Sequence, residues 1–127
     1  MFHENANVQQ MTKQIDRLDR LFRKVLLNEA PDLVRCFTCP RTMHKEKFHV
    51  GHWLGRWKKS VRFDRMDAEL QCPVCNVNDG GRPKIFEARL RAKHGDDAID
   101  ALVLKSNQTI SHYDLDAIEE ELNAMLK

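Results

Sequence analysis

No stretch of this sequence stays apolar for the roughly 18 residues that a membrane-crossing helix needs. The first ten residues, MFHENANVQQ, also lack the charged-then-apolar order of a secretory leader. Both absences argue against a membrane and for the cytoplasm. Glycine and proline are scarce, five and four in 127 residues, so the chain reads as one compact domain with at most an arm, and its single core must be small. No basic helix with a broad aromatic face is present, which argues against a membrane-surface binder. No element looks like a recognition helix for base edges, so a nucleic-acid partner is expected to be chosen by shape more than by sequence.

There are only four cysteines, and they come in two close pairs, Cys36/Cys39 and Cys72/Cys75, separated by 32 residues. A thiolate pair two residues apart grips one edge of a tetrahedral zinc ion, and two such pairs complete the shell. In a reducing compartment this arrangement favours metal over the alternative of two disulfides. Structural zinc can contribute roughly 10–16 kcal/mol of apparent binding energy to the folding of a small domain. Redox or hydrolytic chemistry by the thiols has little support, because the only acid/base partners nearby are His49 and His52.

The net charge of +2 conceals an asymmetry. From Arg35 to Lys93 there are 14 Lys/Arg against 6 Asp/Glu, leaving 7 basic and 13 acidic residues in the flanks. A basic excess on the zinc-bearing segment is the footprint of a phosphate-backbone binder. Arg56, Lys58, Lys59, Arg62 and Arg65 are the candidate phosphate contacts, with Trp57 able to stack on an exposed base or to anchor a loop. The acidic C-terminal tail would repel phosphates.

Apolar residues recur at steps of three and four from Val8 to Leu27, predicting an amphipathic helix capped by Asn5 or Asn7 and ending near Asn28 to Ala30, ahead of Pro31. Its stripe either packs on the core or forms a dimer seam. Leu33 to Arg41 reads as a strand entering the first knuckle, Lys45 to Trp53 as a strand, and Leu54 to Arg65 as a basic loop and return strand. Regular alternation sends Phe48, Val50 and His52 to one face and His49 and Gly51 to the other. Taken alone, His52 would be a core histidine, but Gly51 permits a bulge that could re-aim it. After Gly80-Gly81, Pro83 opens a helix with Ile85, Phe86 and Leu90 inward, closed by Gly95. Asp96 caps the next helix, carrying Ile99, Leu102 and Val103, and Ser111-x-x-Asp114 forms a capping box for the last, with Leu115, Ile118, Leu122 and Met125 inward and Glu119 solvated.

In sum the residues predict an α+β fold: an N-terminal helix over residues 1–30, a zinc-stapled core over 31–95 and a helical segment over 96–127. The order Cys-x-x-Cys, a strand ending in Gly-His, a basic loop, then Cys-x-x-Cys-Asn resembles the zinc-stapled branch of the HNH, or ββα-metal, nucleases. The segments HVGHW, RFDR and QCPVCN, with Gly-Asp-Asp-Ala-Ile-Asp beyond the next helix, are similar to the lambdoid-phage NinG (Rap) recombination proteins from about Leu33 to the C-terminus.

That resemblance implies a ββα-metal, HNH-like core and a phage protein working in a bacterial cytoplasm. Its implied activity is a metal-dependent endonuclease for branched DNA such as D-loops and Holliday junctions, using Mg²⁺ or Mn²⁺ and no organic cofactor. His52 falls on the family's general base and Asn76 on its metal ligand. Where the family pattern places acids, this chain has Gly51 and His49, so His49 is a candidate ligand that would favour softer ions. Asp67 stands for the middle residue of the HNH signature and is expected to orient His52 through its other ring nitrogen. Asn78 stands where a histidine is often found and is a further candidate ligand. Concerted incision of two strands implies a homodimer. The competing reading is a non-catalytic zinc-stabilised module that binds DNA.

Overall fold

The computed structural model describes the backbone of residues 2–127 and the side chains of residues 8–127. Helix α1 spans Phe2–Glu29, starting earlier than predicted and stopping before Pro31 as predicted. Asn5 and Asn7 lie within it and not at its start, and their side chains fall outside the described residues. The 3.6-residue stripe buries Ile15, Leu18, Phe22, Val25 and Leu26 against Phe48, Phe63, Ala68, Leu115 and Leu122. From Ile15 onward the stripe, expected either to pack on the core or to form a dimer seam, packs on the chain's own core.

Two separate two-stranded antiparallel sheets follow. β1 (Leu33–Arg35) pairs with β2 (Thr42–His44), and the first knuckle is the turn between them, closed by Cys36 N–H donating to the Arg41 carbonyl at 2.8 Å. The predicted strand from Lys45 does not begin there. His44 Nδ1 accepts from the Glu46 N–H and starts one 3₁₀ turn, Lys45–Lys47, so β3 is confined to His49–His52. Its partner β4 is Ala68–Gln71, in the register His49↔Gln71 to His52↔Ala68.

The return strand expected within Leu54 to Arg65 is absent from that stretch. Consecutive i→i+3 bonds, Lys58 to Gly55, Val61 to Lys58, Asp64 to Val61 and Asp67 to Asp64, fold it into successive turns. Val61 and Phe63 are nevertheless buried beneath it.

No bulge interrupts β3, and Gly51 serves a different purpose. A Cβ there would lie 2.0 Å from Gln71 Oε1, and Gln71 is held by donating Nε2–H to Thr38 Oγ1 at 3.0 Å and to the Gly81 carbonyl at 2.9 Å. Gln71 thus ties the first knuckle to the loop after the second, and Gly51 leaves it room. Gly51→Ala is expected to destabilise the zinc-loaded protein by about 1–3 kcal/mol by driving a buried amide off its partners. Denaturant melts should show a smaller loss when the same change is made in Gln71→Ala.

The second knuckle passes into a short π-helical turn, Val74–Asn78. α2 (Pro83–His94) buries Phe86 and Leu90, but Ile85, expected inward, is 39% exposed. Gly95 at φ 93 both closes α2 and precedes α3 (Asp96–Ser106). Asp96 makes no cap, because its carboxylate accepts from Arg91 instead. α3 buries Ile99 and Leu102 in a second cluster with Val61, Phe86 and Leu90. α4 (His112–Met125) has the predicted capping box, but Met125 lies mostly outside the core. α4 packs on α1 through Leu115 and Leu122, and Glu119, expected to be solvated, pairs with Arg17 at 2.8 Å. No helix among the described residues is long and apolar enough to cross a membrane.

Candidate functional site

The four cysteine sulfurs lie within 4.8 Å of one another, all four residues are buried, and none is in a disulfide. Cys39 Sγ and Cys72 Sγ are 3.7 Å apart. A tetrahedral ion with Zn–S bonds of about 2.3 Å has ligand–ligand edges of about 3.8 Å, so the cluster can hold a metal ion and its donor set suits zinc. Backbone N–H groups of Cys72 and Cys75 point at Cys36 Sγ (3.2 Å) and Cys72 Sγ (3.4 Å), as expected where thiolates carry negative charge.

β3 and the π turn meet α1 around a cleft of about 370 Å³. His49, His52 and Asn76, the residues to which the family resemblance pointed, all line it. His49 and His52 stand at opposite ends of a four-residue strand. Asn76 Nδ2 lies 3.1 Å from His49 Nδ1. A half-turn of the carboxamide exchanges Nδ2 for Oδ1, leaving an oxygen and a nitrogen donor about 3 Å apart. That is the spacing of adjacent ligands on an octahedral ion with bonds of about 2.1 Å.

His52 Nε2 is 2.9 Å from the Arg62 carbonyl, which can only accept, so Nε2 carries the proton and Nδ1 keeps the lone pair. Nδ1 is buried with no partner. Burial pulls the imidazole down to about 4, outweighing the Arg62 carbonyl and the charge of Asp19, which act the other way. The ring is therefore a neutral acceptor at physiological pH.

The model of the family described as Bacteriophage Lambda NinG protein matches residues 3–127. The chain belongs to the NinG family. The match takes in α1, beyond the stretch from Leu33 onward in which the resemblance was legible. No curated protein and no solved structure matches the chain.

Two predicted members of this NinG site lie elsewhere. His52 pairs with Ala68, and Asp67 lies in the turn just before β4, outside the ladder. Asp67 Oδ1 accepts from the Leu54 N–H at 2.9 Å and Oδ2 has no partner, so the expected bond to His52 is not made. Asn78 is exposed at the end of the π turn and does not line the cleft, since residues two apart on a helical turn do not share a face.

The basic loop is more committed than its composition suggested. Arg62, with a side chain only 12% exposed, grips Asp19 through Nε (3.0 Å) and Nη2 (2.6 Å), and Arg56 reaches the same carboxylate at 2.8 Å. Burial alone would raise the Asp19 carboxyl, but the Arg62 and Arg56 guanidiniums outweigh it and hold it below its ordinary value. Arg65 pairs with Glu29. Lys58 sits 4.5 Å from the ring centroid of Trp57, which is 72% exposed, and Lys59 is exposed. Of the five predicted phosphate contacts, Arg56 borders the cleft and pairs with Asp19, Lys58 and Lys59 lie farther along the loop, and Arg62 and Arg65 also make ion pairs.

Sequence reasoning missed the contribution of α1. Asp19, Phe22 and Arg23 line the cleft; the Phe22 ring lies 6.1 Å from that of His52, and Arg23 donates to the carbonyls of Phe48 and Glu46. The available signal was a polar flank, Asp19 and Arg23 at i,i+4, beside the apolar stripe.

His52 and Asp67 give stability opposite pH slopes. With its folded value near 4 and its free value at 6.5, His52 binds more protons in the unfolded chain between those limits, so stability rises with pH across them. Burial raises Asp67 from 3.8 to about 7. The folded chain then holds the extra proton, and stability falls as pH climbs from about 4 through 7. Asp67→Asn is therefore expected to gain on the unmodified protein as pH rises over this window, by of order 3 kcal/mol at the top. Thermal melts of the zinc-loaded proteins from pH 5.5 to 8 read the difference.

Proposed function

We propose that this NinG chain is a metal-dependent DNA endonuclease with an HNH-like ββα-metal core, acting on branched recombination intermediates such as D-loops and Holliday junctions in the cytoplasm of the phage's bacterial host. The observation that carries the reading is the meeting of His49, His52 and Asn76 in one cleft, with the His52 tautomer set by the Arg62 carbonyl. Those residue types suit phosphodiester hydrolysis. In this reading His52 takes a proton from the water that attacks phosphorus, which requires its buried, unpartnered Nδ1 to come into contact with that water. His49 Nδ1 and Asn76 Oδ1 are the donors for a divalent ion, Mg²⁺ or Mn²⁺. When bound, that ion offsets charge on the leaving 3′ oxygen. Arg56 meets phosphate at the mouth of the cleft, and the four cysteines hold zinc as a purely structural element.

A homodimer is the form that paired incision calls for, with a seam other than the buried part of the α1 stripe. The missing Asp67–His52 bond favours the alternative, a non-catalytic zinc-stabilised DNA-binding module. A labelled four-way junction incubated with Mg²⁺ or Mn²⁺ separates the two. Cleavage abolished by EDTA supports the enzyme, whereas binding without cleavage under either ion supports the module.

A further inference from the structure

A second cleft, of about 570 Å³, lies between the first knuckle and α2 and shares no lining residue with the first. Arg35 from β1, Arg41 from the knuckle, and Arg82 and Arg89 from α2 and its approach all line it, with Thr38 and the half-exposed Ile85, and no carboxylate does. Among the described residues, Arg35 and Arg89 are exposed and make no ion pair. Arg82 pairs with Asp79 at 2.6 Å, and Arg41 leans on Cys39 Sγ and Cys72 Sγ at 3.5 and 3.8 Å.

Apart from Asp79, which holds Arg82, the acids near α2 are engaged away from this cleft. Glu87, Asp96 and Asp100 converge on Arg91, and Glu69 takes Lys93. The first turn of α2 carries no acid. Arg35 and Arg89 bring two unpaired guanidiniums to one concavity beside the partnered Arg41 and Arg82, and the arrangement becomes more favourable when an extended polyanion lies between them. Arg82 also holds φ 47, where no other non-glycine among the described residues has positive φ. Strain of that kind is retained most often where a side chain must be aimed.

We propose that this arginine cleft holds the sugar–phosphate backbone of a second duplex arm of the branched DNA, while the cleaved strand occupies the His52 cleft. The assignment of DNA as partner rests on the function proposed above. Gln71 links the two sites structurally: it pairs with His49 across the sheet and bonds Thr38 in the arginine cleft. A protein that grips two arms at once distinguishes a junction from a linear duplex without reading bases.

The test uses the full zinc-loaded chain and the double variant Arg35→Gln/Arg89→Gln, two exposed positions outside the cleavage machinery, with folding checked by thermal melt. Affinities for a synthetic four-way junction and for a linear duplex of one arm's sequence are measured over a salt series. The variant should bind the junction about tenfold or more weakly, with the log–log salt slope reduced by about 2. Its linear-duplex affinity should change by less than about threefold, and its cleavage rate at saturating junction should stay that of the unmodified protein. Unchanged junction affinity and slope, or an equal loss on both DNAs, overturns the second-arm site. If the unmodified protein binds junctions but cuts none, the nuclease reading fails while the binding comparison still decides the cleft. If it binds no DNA, both fail.

Discussion

Stripping the metal, or replacing Cys72 with serine, is expected to abolish cooperative folding of the region from β1 through β4. β1 and β2 are three residues long, β3 and β4 four, and they form two separate two-stranded sheets. Ribbons of that size are at best marginally stable in water. The sulfurs also belong to the main apolar cluster with Leu18, Phe22 and Phe48, so a charged or hydrated thiolate without its ion would disturb the packing of α1. The roughly 10–16 kcal/mol available from zinc is comparable to the whole net stability of a typical domain, about 5–15 kcal/mol. Circular dichroism melts, followed in parallel with zinc release to a chromogenic chelator, should lose the cooperative transition as one equivalent of zinc leaves. An unchanged melting temperature after complete metal removal would rule out a structural role for the cluster.

The second large effect is expected from His52→Ala, which should reduce junction cleavage by about 10²- to 10⁴-fold while leaving junction affinity within a few-fold. His52 donates to the Arg62 carbonyl, so its other nitrogen is the basic one, and burial holds the ring neutral down to about 4. The acid limb of the cleavage profile should accordingly lie well below pH 6.5, with a flat rate through neutrality. A limb at the ordinary histidine value, or an alanine variant that cuts at the original rate, would remove His52 from the role of base.

What could be read from the residues alone was whatever depends on local spacing. Each Cys-x-x-Cys pair marks one edge of a tetrahedral donor set by its own spacing. The α1 stripe follows from 3.6-residue periodicity, and Ser111 and Asp114 cap α4 through bonds within four residues. His49, His52 and Asn76 came together as a candidate group only through the family resemblance, since alternation alone put the two histidines on opposite faces.

The misreadings share a cause, which is dependence on register or on distant partners. The β3–β4 ladder pairs His52 with Ala68 and leaves Asp67 in the turn before it. Gly51, read as freedom for a bulge, is there because Gln71 occupies the space a Cβ would need. Nor does local spacing show that Arg62 and Arg65 pair with Asp19 and Glu29, 43 and 36 residues earlier. No local pattern connects α1 to that loop, so its place as a wall of the cleft could not be read from sequence.

The central claim is that His49 and Asn76 share a divalent ion beside His52. Anomalous diffraction at the manganese edge from crystals of the zinc-loaded protein grown with Mn²⁺ tests it most directly. The account predicts a manganese peak within bonding distance of His49 Nδ1 and the Asn76 carboxamide oxygen, distinct from zinc at the four sulfurs. A manganese peak elsewhere, or none in that cleft at saturating Mn²⁺, would contradict it.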